Sequence, residues 1–219
     1  MVLIPAGQFL MGSHSGEGVN NEHPQRKVFL SAYYIDKYEV TVAQYRDFCR
    51  TTGRNMPTAP SWGWIETHPI VSVSWNDATA YANYYGNRLP TEAEREKAVR
   101  AGSKTKYYFG DNEADLNDCA WYSINSGNQT HPIGAKKPNP FGLYDMYGNA
   151  WEWCSDWYDP NYYTGGPKND PPGPASGNLH SVRGGGWGYA ADSCRSEVRN
   201  GLKPSYWDSC LGFRCAFSP

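Results

Sequence analysis

Helix-forming patterns occur only in the first half of this chain, and that asymmetry limits the folds open to it. Residues 41–53, 74–86 and 91–102 each combine a capping residue at the start with a run of helix-compatible residues. After Gly102, short strand-like segments alternate with Pro, Gly and Asn turns, and no helical period is evident. We therefore predict three short helices followed by a loop-rich half.

Local signals mark the ends of these helices. Gly53 is a natural stop for the first, because glycine adopts the left-handed conformation that follows many helices. Thr91 and Glu94 form a Thr-x-x-Glu capping box at the start of the third. A stripe of apolar positions predicts the buried face of the first helix: Val42, Tyr45, Phe48 and Cys49.

The composition favours a loop-rich fold in which aromatic side chains hold irregular backbone in place. The chain has 9 Trp, 17 Tyr, 23 Gly and 16 Pro, and only 19% of its residues are charged. Helical bundles, coiled coils and disordered chains need more charge or fewer aromatic residues. The strand-like segments are the first strand at residues 1–12, then residues 28–40, 107–110, 130–134 and 211–217.

No repeat or linker divides the chain. The Pro- and Gly-rich segment 159–180 lies between aromatic-rich segments, so we interpret it as a surface loop and not as a domain boundary. The sequence therefore predicts a single domain over residues 1–219.

Charge and hydropathy exclude two classes of partner. The net charge is −2 and no basic run exists, so nucleic-acid binding is not expected. No apolar run approaches the roughly 20 residues that span a bilayer. The apolar start of the chain is interrupted by Pro5 and Gly7 and does not resemble a signal peptide. Because a leader is easily trimmed, the sequence leaves the compartment open.

The six cysteines form no CxxC pair, which argues against zinc ribbons and thioredoxin chemistry. An even number permits disulfides, and free buried thiols are equally compatible with the pattern. We expect at most one or two disulfides.

Long motifs in a fixed order now point to a family. The strings "YYIDKYEVTVAQYRDFC", "HPIVSVSWNDATAYANYYGNRLPTEAEREKAVRAG" and "PNPFGLYDMYGNAWEWCSDWYD" are followed by "RGGGW" and "LGFRCA". Together they resemble the formylglycine-generating-enzyme and sulfatase-modifying-factor family across essentially the whole chain. The resemblance implies an α+β fold, the variant of the C-type lectin fold found in that family, with few short helices and short antiparallel strands. This fold carries oxidases, iron-dependent sulfoxide synthases and non-catalytic binders, so the fold alone does not give the function.

The resemblance also implies a structural calcium ion in the segment "DMYGNAWE". Its ligands would be side-chain or carbonyl oxygens, which Ca²⁺ prefers. The alternative is a carboxylate that only caps a turn. The four implied ligands are Asp145, Gly148, Ala150 and Glu152. An iron site is not expected, because the five histidines are scattered and lack the His-x-x-x-His-x-Glu spacing of the sulfoxide synthases.

A copper site of the oxidase type is not expected either. The family's oxidases bind Cu(I) through two cysteines five residues apart, and thiolates are the ligands that select Cu(I). Cys194 falls on the second of these cysteines, but Tyr189 falls on the first, and Gly186 replaces a serine of the oxidases. If the chain were nevertheless an oxidase, the resemblance would assign catalysis to Cys194 and to Trp151, which matches an active-site Trp.

The C-terminal block, residues 187–214, also resembles the variable region of diversity-generating-retroelement proteins. In those proteins a fixed frame carries exchangeable side chains that contact a ligand, and Tyr- and Ser-rich positions suit recognition. The frame here is Trp187, Ala191, Cys194, Arg195, Ser196, Arg199, Pro204 and Leu211 to Arg214. The predicted ligand-binding positions, here called the slots, are Gly188, Tyr189, Ala190, Asp192, Ser193, Val198, Asn200, Gly201, Leu202, Ser205, Tyr206, Trp207, Asp208, Ser209 and Cys210.

Three functional hypotheses follow from these patterns. The first is a non-catalytic display protein that binds a protein or cell-surface ligand, which would place it at the cell surface or outside the cell. The second is a formylglycine-generating oxidase or related modifying enzyme with an altered copper site. The third is a structural or accessory domain of a larger assembly. A non-catalytic paralogue whose loop has drifted would share the features of the first.

Overall fold

The structure is a computed structural model that describes residues 1–218. It confirms the three predicted helices: α1 (Val42–Thr52), α2 (Trp75–Tyr84) and α3 (Glu92–Arg100). All three begin with a capping box, and Gly53 ends α1 in the left-handed conformation with φ 71°.

The strands are short and lie in four small sheets. Their orders are β1-β4-β11, β10-β7-β8-β9, β2-β3 and β5-β6. The strands are β1 (Val2–Ile4), β2 (Gly7–Met11), β3 (Arg26–Leu30), β4 (Tyr33–Ile35), β5 (Ala120–Trp121), β6 (Tyr147–Gly148), β7 (Trp151–Trp157), β8 (His180–Arg183), β9 (Arg199–Leu202), β10 (Leu211–Gly212) and β11 (Ala216–Phe217).

All five strand predictions need correction. Residues 28–40 contain parts of β3 and β4, and residues 211–217 contain β10 and β11, each pair from two different sheets. The single first strand is two strands, because β1 pairs with β4 whereas β2 pairs with β3. Residues 107–110 close into a tight turn in which the N–H groups of Tyr107 and Gly110 donate to each other's carbonyls. Residues 130–134 are not a strand, because side chains take up their N–H groups: His131 N donates to Asn149 Oδ1 and Gly134 N to Asp145 Oδ2.

The four-stranded sheet positions the C-terminal block. Its central strands β7 and β8 are antiparallel, with Trp153 opposite Val182. The edge strand β9 pairs with β8, and β10 runs parallel to β7 with Leu211 opposite Trp151. The middle of the block and its C-terminal end are thereby fixed to one sheet.

The core consists of two hydrophobic clusters. One lies between the N-terminal strands and α3 and includes Tyr107, Tyr147 and Cys194. The other lies between α1, α2 and β7, and includes Trp151 and Cys210. The predicted apolar stripe of α1 is confirmed, since all four of its residues are buried in the second cluster.

Helix α3 is buried along its whole length although most of its residues are charged. Arginines from the C-terminal half neutralise its carboxylates: Arg199 pairs with Glu92, and Arg183 pairs with both Glu92 and Glu96. Such pairs offset the cost of removing each charge from water. This buried ionic network joins α3 to the C-terminal half of the chain.

The six cysteines are all free and buried, which is the thiol alternative that the sequence left open beside at most one or two disulfides. No helix within residues 1–218 is both long and apolar enough to cross a membrane.

Candidate functional site

The frame and the slots of the C-terminal block differ in exposure. Among the frame residues, Trp187 and Pro204 are half-buried and the others are buried. Of the fifteen slots, eight are exposed (Gly188, Tyr189, Ala190, Asp192, Asn200, Ser205, Tyr206 and Trp207) and six are half-buried (Ser193, Val198, Gly201, Leu202, Asp208 and Ser209). Cys210 alone of the fifteen is buried.

Buried arginines hold the frame in place. Arg195 follows a short 3-10 helix at residues 191–194 and makes a bidentate ion pair with Glu22, with N–O distances of 2.9 and 3.1 Å. Arg199, at the start of β9, makes a second bidentate pair with Glu92, with both distances 2.6 Å. The planar guanidinium fixes the direction of each pair, so these contacts orient the backbone between the slots.

Six slots converge on one cleft of about 50 Å³ beside β7. Trp151, Val182 and Leu211 complete its lining. The six slots are Tyr189, Asn200, Leu202, Tyr206, Asp208 and Cys210.

Aromatic rings form one wall of the cleft. The rings of Trp151 and Tyr189 meet edge to face, with centroids 5.5 Å apart. Trp151 is 6% exposed, and its Nε1 has no hydrogen-bond partner. Gly186 lies against both Trp151 and Cys210, where a Cβ would stand 3.1 Å from Trp151 Cδ1 and 3.3 Å from Cys210 Cβ. A serine at position 186 would therefore crowd the cleft floor.

Asp208 organises the opposite wall. Tyr206 Oη donates to Asp208 Oδ2 at 3.0 Å, and Cys210 N donates to Oδ1 at 3.1 Å. Partial burial raises the pKa of Asp208, but these hydrogen bonds outweigh it and leave the pKa below its ordinary value. The carboxylate is therefore ionised at neutral pH.

The titratable side chains of Tyr189 and Cys210, which also line the cleft, are neutral at that pH. Burial is the main cause, and the neighbouring Cys210 the second, of a rise in the pKa of Tyr189 to about 12. For Cys210, burial is the main cause and the negative charge of Asp208 the second, and together they raise its pKa to about 12. A thiol that stays protonated is a poor metal ligand and a poor nucleophile.

Cys194 lies elsewhere. It is fully buried in the cluster around Tyr107, and burial raises its pKa to about 12. A Cβ on Gly185 would stand 2.6 Å from Cys194 Sγ, whereas one on Gly186 would stand 3.3 Å from Cys210 Cβ, and the two cysteines belong to different core clusters. The structure brings Trp151 but not Cys194 to the cleft.

The remaining slots lie outside the cleft. A Cβ at Gly201 would stand 2.4 Å from the Tyr158 ring, so a larger residue at this slot requires that ring to shift. Gly188 has open space around it, and Asp192 is exposed while it pairs with Arg195. The others outside the cleft are Ala190, Ser193, Val198, Ser205, Trp207 and Ser209.

Sequence reasoning missed Trp62. Its ring stands edge-on against the frame residue Trp187, with centroids 5.3 Å apart, and Trp187 Nε1 donates to the carbonyl of Ser209. Trp62 comes from a segment more than 120 positions upstream of the block, so nothing in the spacing connected it with the slots.

The predicted calcium ligands do not fit a calcium ion in this arrangement. Glu152 is fully buried, and its two oxygens accept hydrogen bonds from the guanidinium groups of Arg95 and Arg214. A dication there would face two positive charges. Asp145 Oδ1 is buried without a partner, and Gly148 lies against the backbone of Trp121. Calcium at this loop stays a prediction from the family resemblance.

The histidines do not assemble a metal centre. His180 is stacked between Trp75 and Trp157 at 3.8 and 3.9 Å, and His131 stacks on Trp121 at 3.8 Å. Within residues 1–218, no group of three or more His, Cys, Asp or Glu side chains could hold a metal ion.

The fold and the cleft define a class: a C-type-lectin-like domain whose C-terminal block carries exposed side chains on a buried frame. The chain belongs to the FGE-sulfatase family, because the model of that family, described as the sulfatase-modifying factor enzyme 1-like domain, matches residues 1–219. This confirms the family resemblance drawn from the motifs.

Two curated relatives illustrate the range of the family. The formylglycine-generating enzyme of Streptomyces coelicolor is 33% identical, over 98% of this chain and 88% of that enzyme. The serine/threonine-protein kinase pkn1 of Chlamydia caviae is 34% identical, over 99% of this chain but only 37% of that protein.

Two solved structures share the fold closely. Treponema denticola variable protein 1 superposes with a TM-score of 0.88 at 31% identity, covering 100% of this chain and 95% of its own. PvdO from Pseudomonas aeruginosa superposes with a TM-score of 0.91 at 30% identity, covering 99% of this chain and 93% of its own. The predicted fold class is thereby confirmed, as is the resemblance to variable proteins.

Proposed function

We propose that the chain is a non-catalytic ligand-binding protein of the variable-protein type, with the slots of residues 187–214 as its binding face. The observation that carries this proposal is the difference in exposure: all frame residues except Trp187 and Pro204 are buried, while fourteen of the fifteen slots are exposed or half-buried. A surface whose side chains change without disturbing the core suits exchangeable recognition.

The chemistry of the slots supports binding over oxidation. Tyr189 stands where the oxidases have a copper-binding cysteine, and a protonated phenol is a poor substitute for a thiolate. Sequence identity does not distinguish an oxidase from a binding protein here, because the enzyme of Streptomyces coelicolor and Treponema denticola variable protein 1 are similarly distant from this chain. The residues at the cleft therefore carry the argument.

The partner is expected to be a protein or another cell-surface ligand. Tyr189, Tyr206 and Trp207 are 41%, 43% and 53% exposed. Large aromatic side chains at the centre of an interface supply much of its binding energy. Their rings also lose little conformational entropy on binding, which favours them as anchors.

A random peptide library displayed on phage and panned on the immobilised chain tests this proposal. We expect selected peptides to bind the wild-type chain at least about tenfold more tightly than the Tyr206→Ala/Trp207→Ala variant. The matched control is Tyr84→Ala/Tyr85→Ala, which removes two tyrosines of similar exposure (48% and 45%) at the end of α2. The control should bind the peptides as the wild type does, and the slot variant should keep the wild-type melting temperature.

Two results would contradict the proposal. One is that no selected peptide depends on Tyr206 and Trp207. The other is a loss of fold in the slot variant, which would show that these side chains are structural. Active diversification has a separate genetic test: a neighbouring reverse-transcriptase gene and a near-copy of the codons for residues 187–214 that differs only at adenines.

A further inference from the structure

The cleft combines three aromatic side chains with a single charge. Trp151, Tyr189 and Tyr206 line it together with Asp208. Tyr206 Oη donates to the Asp208 carboxylate, so this ring is held beside the charge, and Tyr189 is held against Trp151. The electron-rich faces of such rings attract a cation within about 6 Å of the ring centre.

The charge of the cleft is uncompensated by any cation. Its other lining residues, Val182, Asn200, Leu202, Cys210 and Leu211, are neutral, and no lysine or arginine lines it. The nearby Arg199 is buried and directed at Glu92, on the side of β9 away from solvent. Asp208 is stabilised by hydrogen bonds alone, which leaves its negative potential available to an incoming group.

The volume of the cleft limits the size of what enters it. A water molecule needs a cavity of roughly 10–15 Å³, whereas pockets for drug-sized ligands measure about 300–1,000 Å³. At about 50 Å³, this cleft accommodates the tip of one side chain but not a sugar ring or a nucleotide.

We propose that the cleft receives the cationic tip of a lysine or arginine side chain from a partner protein. This inference rests on the proposed function and specifies the chemistry of its ligand. The ammonium or guanidinium group lies between the rings of Trp151, Tyr189 and Tyr206 and pairs with the carboxylate of Asp208. The exposed slots around the cleft then contact the rest of the partner and determine which of its lysine or arginine residues binds in the cleft.

The direct test titrates the ¹⁵N-labelled chain with Nα-acetyl-lysine-methylamide and with Nα-acetyl-arginine-methylamide, and observes the indole N–H signal of Trp151 by NMR. We expect saturable shifts with Kd values on the order of 1–10 mM for at least one probe, as befits a single side chain. The neutral probe, in which the lysine side chain is acetylated, should cause no saturable shift. Asp208→Asn should weaken the cationic probes at least fivefold, whereas Asp118→Asn, which removes an exposed charge outside the slots, should not.

Equal binding of the neutral and cationic probes, or no shift at Trp151, would overturn the inference. The comparison of neutral and cationic probes uses the wild-type chain, so it tests the cationic site even if Asp208→Asn fails to fold. The phage selection distinguishes failure of the cationic site from failure of the proposed ligand-binding function. Peptides that depend on Tyr206 and Trp207 but carry no conserved Lys or Arg would keep the proposed function and refute the cationic site. Binding of a free quaternary ammonium ion without any basic peptide would point to a small-molecule ligand instead.

Discussion

The ring of Tyr189 stands edge-on against the indole of Trp151, with centroids 5.5 Å apart and ring planes at 81°. Aromatic pairs in this geometry stabilise each other beyond the area they bury. The phenol therefore has a packing role at the position where an oxidase of this family carries a thiol.

Restoring the missing cysteine should not restore an oxidase. In Tyr189→Cys the new thiol faces Trp151 and Cys210, while Cys194 stays buried behind Gly185 with a pKa of about 12. We expect no aldehyde mass shift when this variant is incubated with Cu(I), O₂ and a Cys-x-Pro-x-Arg peptide. The wild-type chain should be equally inactive, and the Streptomyces coelicolor enzyme serves as positive control. Conversion of the peptide by either form of this chain would favour the oxidase hypothesis.

Neutralising Glu152 should destabilise the fold strongly. Its carboxylate lies between Arg95 and Arg214, and all three side chains are at most 1% exposed. Glu152→Gln leaves two buried guanidinium groups without a counter-charge, which costs about 3–5 kcal/mol of the free energy of unfolding. Urea denaturation measures this loss. The control is Asp118→Asn, which breaks an exposed pair with Lys137 and should leave the denaturation midpoint unchanged.

Substitution by alanine should destabilise the fold at one glycine slot and leave its stability nearly unchanged at another. Gly201→Ala places a Cβ into the ring of Tyr158 and should lower the free energy of unfolding by about 1–3 kcal/mol, as overpacking does. Gly188→Ala enters open space and should change it by less than about 0.5 kcal/mol. Thermal unfolding of the two variants gives the comparison. Equal stabilities would mean that the Tyr158 ring moves aside and that position 201 is exchangeable after all.

The buried Asp156 should make stability depend on pH. Burial, followed by the nearby carboxylate of Glu92, raises its pKa to about 7, against roughly 3.9 in the unfolded chain. Between these values the folded state binds the proton more tightly, so this group's contribution to stability is fully present below pH 4 and declines until pH 7.

Asp156→Asn removes this titration while its side-chain oxygen can still accept from Glu92 N, as Asp156 Oδ2 does at 2.8 Å. From pH 4 to pH 8, the stability of the variant relative to the wild type should rise by on the order of 3 kcal/mol. Denaturation curves at several pH values test this. Parallel pH profiles for the two proteins would show that Asp156 does not titrate in this range.

Sequence patterns predicted the helices because capping and periodicity are local. Thr91 caps α3 through Glu94 N, and both residues lie within one turn. The strand predictions at residues 107–110 and 130–134 were wrong because side chains and tight turns took up backbone groups that a strand would have paired. Burial of α3 was also unpredictable, since its carboxylates are matched by Arg183 and Arg199, far along the chain.

The sequence by itself determined the family and the three helices, because these depend on residue order and spacing. Only the tertiary structure decided which slots share a cleft, that Tyr158 stands against Gly201, and that Cys194 and Cys210 lie in different core clusters. The physical reason is that a cleft is made by contacts between distant segments. Trp151 on β7 meets Tyr189 and Asp208 only after the four-stranded sheet has formed, and no local pattern encodes that meeting.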